Sequence, residues 1–277
     1  MARSTVFLDE LTEPEVAQFL DERPTSLLLV PTGATEQHGP HAPLGTDVII
    51  PREVCRRVAE EKGALVAPPV PYGLSQGHRG FTGLAYLSVR TYVGLIEDLV
   101  RSFVESGFRR VVFVNGHYTN YPAINLACLN GSHELPAGVH AWAVSYWDAL
   151  PPEEASEYLS LGAGLHANIG ETSAVLAARP ELVKLERAVE GWPNFPEPKG
   201  PLMPTIFAYF ETSAGSCYRA LPYGVWGDPR GSSADLGERF YTQIARGVCN
   251  VIDDVEASLA RMEIEQPPAP VDASDPA

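Results

Sequence analysis

The chain has 277 residues, 45% of them hydrophobic, and a formal net charge of −15 at pH 7. That length supports one large α/β domain or two small ones with a sizeable core. The acidic balance is spread along the chain without a Lys/Arg stripe, which argues against nucleic acid and anionic membrane surfaces as partners.

Cys55, Cys128, Cys217 and Cys249 stand far apart with no CxxC spacing, the pattern of reduced, mostly buried thiols in a cytoplasmic protein. The opening segment MARSTVFLDELTEPE has no long apolar run, and nowhere does an apolar stretch reach membrane-spanning length. The expectation is a soluble protein that is not exported.

In chain order, the run Leu27–Val30 is ended by Pro31 and Gly33 and predicts a buried parallel strand followed by a loop. Thr46 or Asp47 is placed to cap a helix whose apolar positions Val48, Ile49, Val54 and Val58 recur at helical spacing. ALVAPPVPYG predicts a strand broken by Pro68 and Pro69, and TYVGLIEDLVRSFVESG an amphipathic helix closed by Gly107. RRVVFVNGH reads as a continuous apolar strand, YPAINLACLNG as a helix, GVHAWAVSYWD as a further strand and GETSAVLAARPELV as the start of another helix. Alternation of this kind predicts a single-domain three-layer α/β/α sandwich with a mostly parallel sheet.

WPNFPEPKGPLMP, residues 192–204, holds too much proline for a regular element and predicts an ordered loop or arm. SSADLGERFYTQIARGVCNVIDDVEASLARM predicts a closing helix, with Ser232 or Ser233 as its cap. The domain is expected to cover residues 1–262, followed by a disordered tail over 263–277.

Ligands of doubly wound sheets bind beyond the carboxyl ends of the strands, and three loops there carry polar chemistry. Glu36, His38, His41 and Asp47 follow the first strand, Asn115 and His117 follow VVFV, and His166 and Glu171 open a later helix. Imidazoles mixed with carboxylates suit Zn²⁺, Mn²⁺ or Fe²⁺, whereas Ca²⁺ or Mg²⁺ sites use almost only oxygen. For His41 a structural role competes evenly with metal binding, and His133 and His140 read as caps or solvated side chains. Gly33, Gly39, Pro40 and Pro43 keep the first loop on a non-helical path, so Glu36 and His38 can address different points.

TEQHGPHAPLGTD, VVFVNGHYTN and HANIGETS together resemble the creatininase (creatinine amidohydrolase) family of metal-dependent hydrolases, over residues 25 to 250. The resemblance implies an α/β/α fold assembled into a homohexamer, a trimer of dimers, with two divalent metal ions per subunit. These would be zinc first, with manganese or iron as alternatives. On matching positions Glu36 and His117 would bind one ion, His38 the other, and Asp47 would bridge them. The implied mechanism is attack of a metal-activated water on a C–N (amide) bond of a small cyclic or formylated non-peptide substrate. His166 would move the proton to the leaving nitrogen.

Thr119 stands where the creatinine-hydrolysing branch has a glutamate ligand, and Asn168 where several members have glycine. Glu171 is therefore expected as the replacement ligand, and creatinine itself becomes doubtful as the substrate. Tyr118 and Trp147 match aromatic positions near the substrate, while Arg79, in HRGFTG, is a candidate for a substrate carboxylate. Two other readings compete: the same metals opening a carbocyclic, cyclitol-type ketone, and a non-catalytic small-molecule-binding protein. A serine hydrolase lacks its G-x-S-x-G elbow.

Overall fold

A computed structural model describes residues 5–23, 25–193, 208–210 and 212–264. The expected arm at 192–204 lies outside the described residues beyond position 193, and so does the expected tail beyond 264. Helix α1 (Glu13–Glu22) leads into strand β1 (Leu27–Thr32), helix α2 (Thr46–Lys62), strand β2 (Leu65–Val66) and helix α3 (Val89–Glu105). Strand β3 (Arg110–Asn115), helix α4 (Tyr121–Ser132), strand β4 (His140–Ser145) and helices α5 (Pro152–Tyr158) and α6 (Ile169–Ala178) follow. Helices α7 (Ser216–Ala220) and α8 (Ala234–Ile264) complete the described chain.

The sheet runs β2-β1-β3-β4 with every pairing parallel, and β1 meets β3 in register from Leu27 opposite Arg110 to Thr32 opposite Asn115. Successive side chains of a strand point to opposite faces, and the two cores follow that rule. Leu29, Val112 and Val114 pack with α2, α6 and α8, whereas Leu28, Val30, Val111 and Phe113 pack with α1, α3 and α4. Strands buried on both faces read as unbroken apolar runs, which is why VVFV carries no alternation. Among the described residues no helix is long and apolar enough to cross a membrane.

Two local expectations change. The second strand is reduced to Leu65–Val66, because Pro68 and Pro69 have no N–H; beyond it Ala67 and Val70 donate to the Leu29 and Pro31 carbonyls of β1, at 2.9 Å each. Gly45, not Thr46 or Asp47, occupies the cap of α2, since the Thr46 hydroxyl turns back to the Pro43 carbonyl at 2.8 Å. Ser233 caps α8 through the Leu236 N–H at 3.2 Å.

Candidate metal centre

Asp47 sits in the first turn of α2, wedged between the ends of β1 and β3. Pro51 lacks the N–H that would take the Asp47 carbonyl in a regular helix. The backbones of Gly33 and Gly116 close on that carbonyl instead: a Cβ at either would stand 2.2 or 2.4 Å from its oxygen. The two Asp47 oxygens then face different imidazoles, Oδ1 at 3.0 Å from His38 Nε2 and Oδ2 at 2.9 Å from His117 Nδ1.

Asn115 and Asn120 hold the surrounding loops. Asn115 Nδ2 donates to the His117 carbonyl at 2.8 Å and to Ser145 Oγ at 3.1 Å, and its Oδ1 accepts from the His117 N–H. Asn120 bridges the Gly33 carbonyl and the Leu74 N–H, which ties the β1 and β2 loops together. On α6, Asn168 caps the helix by accepting from the Glu171 N–H at 2.9 Å, while Glu171 Oε2 accepts from the Ala167 N–H at 2.6 Å. That bond leaves Oε1 directed at His38 Nε2, 4.0 Å away.

Both metal-facing histidines have their far nitrogen engaged. His38 Nδ1 meets the Glu36 carbonyl at 3.3 Å, and His117 Nε2 meets Thr119 Oγ1 at 2.7 Å. In its neutral form, the form that can bind a cation, each ring therefore keeps its proton on the far side and turns a bare nitrogen toward Asp47.

A divalent cation fits this donor set. His38 Nε2 and Glu36 Oε2 are buried atoms without a hydrogen-bond partner, although carboxylate or imidazole atoms lie within 3.0–3.4 Å of them. Closeness without hydrogen-bond geometry is what lone pairs aimed at a common point produce. Glu36, Asp47 and His117 offer one group of converging ligand atoms, and His38, His166 and Glu171 a second.

Charge burial agrees. Burial, with the charges of Asp47 and Glu171, pushes the Glu36 carboxyl well above its ordinary range, and burial lifts Glu171 to about 7 against the pull of His38. Burial alone would depress His38, but the Asp47 carboxylate beside it wins and holds it at about 9. His166 is pushed down to about 3 by burial and by His38. Three buried carboxylates, with no Lys or Arg among the described lining residues, call for a cation.

The centre floors a cavity of about 910 Å³. Tyr118 and Trp147 stack on its wall with centroids 6.3 Å apart and planes 17° from parallel, and Leu126, Phe210 and Trp226 add apolar surface. All the expected ligands and His166 thus come together with the two aromatic residues. Arg79 is exposed and stands outside the lining. His41 is buried and joins the loop to α6 through Thr172 Oγ1 at 2.9 Å.

Two residues were not read as parts of the centre from sequence. His78, beside Arg79 in HRGFTG, has its Nε2 3.2 Å from Glu36 Oε1. Gln37 lies between His78 and His166, with its Nε2 3.1 Å from each ring. The signal for His78 was available: the loop after the second strand opens on the same rim as the other three.

A parallel α/β/α sandwich with buried carboxylates and imidazoles at its strand ends defines a metal-dependent hydrolase of the doubly wound class. The family model described as creatinine amidohydrolase matches residues 9–252, and the chain belongs to the creatininase family of metal-dependent amidohydrolases. It is 37% identical to creatinine amidohydrolase of Pseudomonas putida, covering 90% of this chain and 96% of the relative. It is 33% identical to the mycofactocin precursor peptide peptidase of Mycolicibacterium smegmatis, covering 82% of this chain and 84% of the relative. It is also 26% identical to 3-dehydro-scyllo-inosose hydrolase of Thermotoga maritima, over 97% and 87%. Solved creatininases in a Zn–Zn and a manganese form superpose with TM-scores of 0.75 and 0.74 at 30% and 31% identity; each comparison covers 91% of this chain and 98% of the other.

Proposed function

We propose that the chain hydrolyses a C–N (amide) bond of a small cyclic or formylated non-peptide substrate at a centre of two divalent ions. The carrying observation is Asp47, whose two oxygens face two separate imidazoles at 3.0 and 2.9 Å. Glu36, Asp47 and His117 would hold one ion, and His38, Asp47 and Glu171 the other; zinc is the first choice, with manganese or iron as alternatives. Bound there, the ions supply Lewis acidity, which lowers the pKa of water and polarises a carbonyl.

The chain's own groups do the rest. His166, next to Glu36 at 3.9 Å and in the cavity lining, takes a proton and gives it to the leaving nitrogen. Glu171, held by the Ala167 N–H, takes the ligand position for which Thr119 has no carboxylate, and takes part in that proton transfer. The Tyr118–Trp147 stack offers a flat wall for a planar ring. The absence of Lys or Arg among the described lining residues suits a neutral substrate rather than an acidic one.

The second reading keeps the centre and opens a carbocyclic ketone of the cyclitol type. The Thermotoga maritima relative favours it. The cavity volume lies toward the top of the range for sites of drug-sized ligands, ~300–1,000 Å³, which leaves room for a substituted ring under either reading. A purely binding role is the weaker reading, because His166 and the ligand set are retained apart from the carboxylate absent at Thr119. The same family reading takes residues 1–262 as one catalytic unit in a cytoplasmic homohexamer, a trimer of dimers, which light scattering tests.

The test is metal content per chain on wild type and Glu171→Ala, with hydrolysis of creatinine, other cyclic amides, formamides and cyclitol ketones. Two ions falling to one in the variant, with amide turnover in wild type, support the proposal. Ketone turnover alone moves the function to the second reading, and an absence of metal after supplementation overturns both.

A further inference from the structure

We infer that Gln37 is a positioning residue that makes His78 a hydrogen-bond donor to Glu36 and so prevents it from acting as a third imidazole ligand. The inference rests on the metal-centre reading above. The Gln37 amide has a fixed orientation: its Oε1 accepts from the Gly39 N–H at 2.8 Å, so its Nε2 carries the protons. Gly224 packs over the same amide in a left-handed conformation (φ 70°), where a Cβ would stand 1.9 Å from Gln37 Oε1. The amide is thus locked by hydrogen bonding on one side and by packing on the other.

From there the proton positions follow. Gln37 Nε2 donates to His78 Nδ1 at 3.1 Å, so the neutral ring carries its proton on Nε2, 3.2 Å from Glu36 Oε1. His166 Nε2 meets both the Gln37 amide at 3.1 Å and the Gln37 carbonyl at 2.8 Å, so Gln37 does not commit that ring to one tautomer. Ligand atoms of Glu36, His78 and His166 also converge within 4.8 Å of one another. With a bare His78 Nε2 that group would compete for Glu36 with the ion held by Asp47 and His117. Gln37 removes the competitor and leaves Glu36 oriented by a hydrogen bond, the arrangement that tunes a carboxylate ligand.

The test uses the full chain stripped and reconstituted with cobalt, read by metal content and by the visible absorption of Co²⁺. In Gln37→Glu the new carboxylate accepts from a proton on His78 Nδ1 and leaves Nε2 bare. That variant should bind one further equivalent of cobalt and change the spectrum, and adding His78→Gln should reverse both. His78→Gln in the wild-type background, whose amide can still donate to Glu36, should keep the wild-type cobalt count, whereas His38→Gln should lose an ion. Loss of an ion in His78→Gln, or a folded Gln37→Glu with the wild-type count and spectrum, overturns the inference. If Gln37→Glu does not fold, the His78→Gln count decides alone. Wild type that binds no cobalt removes the metal-centre reading, and this inference with it.

Discussion

Thr119 Oγ1 lies 2.7 Å from His117 Nε2 and donates its own proton to the Leu74 carbonyl. Its hydroxyl therefore accepts from His117 Nε2, and in the neutral ring Nδ1 is left bare opposite Asp47 and Glu36. Thr119 thus holds His117, an expected metal ligand, in one tautomer when the ring is neutral. Thr119→Val should weaken metal binding by about 10- to 100-fold, the usual effect of removing such a partner, while Thr119→Ser retains it. Chelator competition measures this, and equal affinities for Val and wild type would sink the idea.

The placement of Asp47 predicts an effect away from any ligand. Alanine at Gly116 would set its Cβ 2.4 Å from the Asp47 carbonyl and 2.7 Å from the Pro51 ring, so α2 must shift. Gly116→Ala should cost ~1–3 kcal/mol of stability by overpacking and should also lower metal content, though it removes no ligand. Thermal unfolding and elemental analysis read the two effects. A stable variant with full metal content would show that the wedge does not position Asp47.

These two relationships separate what sequence discloses from what it conceals. The convergence of Glu36, His38, Asp47 and His117 was legible because polar strand-end loops of a parallel sheet meet on one rim, and the strands were long apolar runs. Glu171 was legible as a candidate at the mouth of a later helix, and the resemblance implied it as the replacement for the carboxylate missing at Thr119. His78 and Gln37 were not assigned to the centre, since their roles depend on the β2 loop folding over the β1 loop, a contact made by Asn120 from 46 residues away from Leu74. The cap of α2 was misplaced for a similar reason: the Thr46 hydroxyl had a carbonyl behind it as a competing partner. Arg79 followed a strand and so read as a candidate for the rim, but the side chain's position relative to the cavity is a tertiary property.

The shifted groups predict how the metal-free protein responds to alkali. His38, raised from 6.5 to about 9, contributes stability that is complete below 6.5 and lost as pH rises through 9. Glu36, raised well above 4.5 by burial and its carboxylate neighbours, works in the same direction, because the unfolded chain ionises it more readily. His166 and His41, lowered to about 3 and about 4, act on the other side, where the unfolded chain gains protons below 6.5. Between neutrality and pH 9 the melting temperature of the metal-free protein should therefore fall, and metal affinity should rise as the His38 proton is removed. Calorimetry with and without zinc checks both. A melting temperature that rises over that window would contradict the charge arrangement.

The aromatic wall separates binding from chemistry. Trp147 stacks on Tyr118 and also leans on the buried Tyr146, centroids 5.0 Å apart, so the indole is held from below while its outer face stays on the cavity. It touches none of the expected ligands through a hydrogen bond, and its removal leaves the proton path through His166 intact. Trp147→Ala should raise KM with a much smaller change in kcat, the signature of lost uniform binding, provided the substrate rests on this wall. Trp147→Phe should recover most of the loss, since a flat face is the property used. Steady-state kinetics on the amide identified by the screen distinguishes the outcomes. A fall in kcat with KM unchanged would mean that the wall acts on the reacting bond, and the substrate would then have to lie deeper than the Tyr118–Trp147 stack.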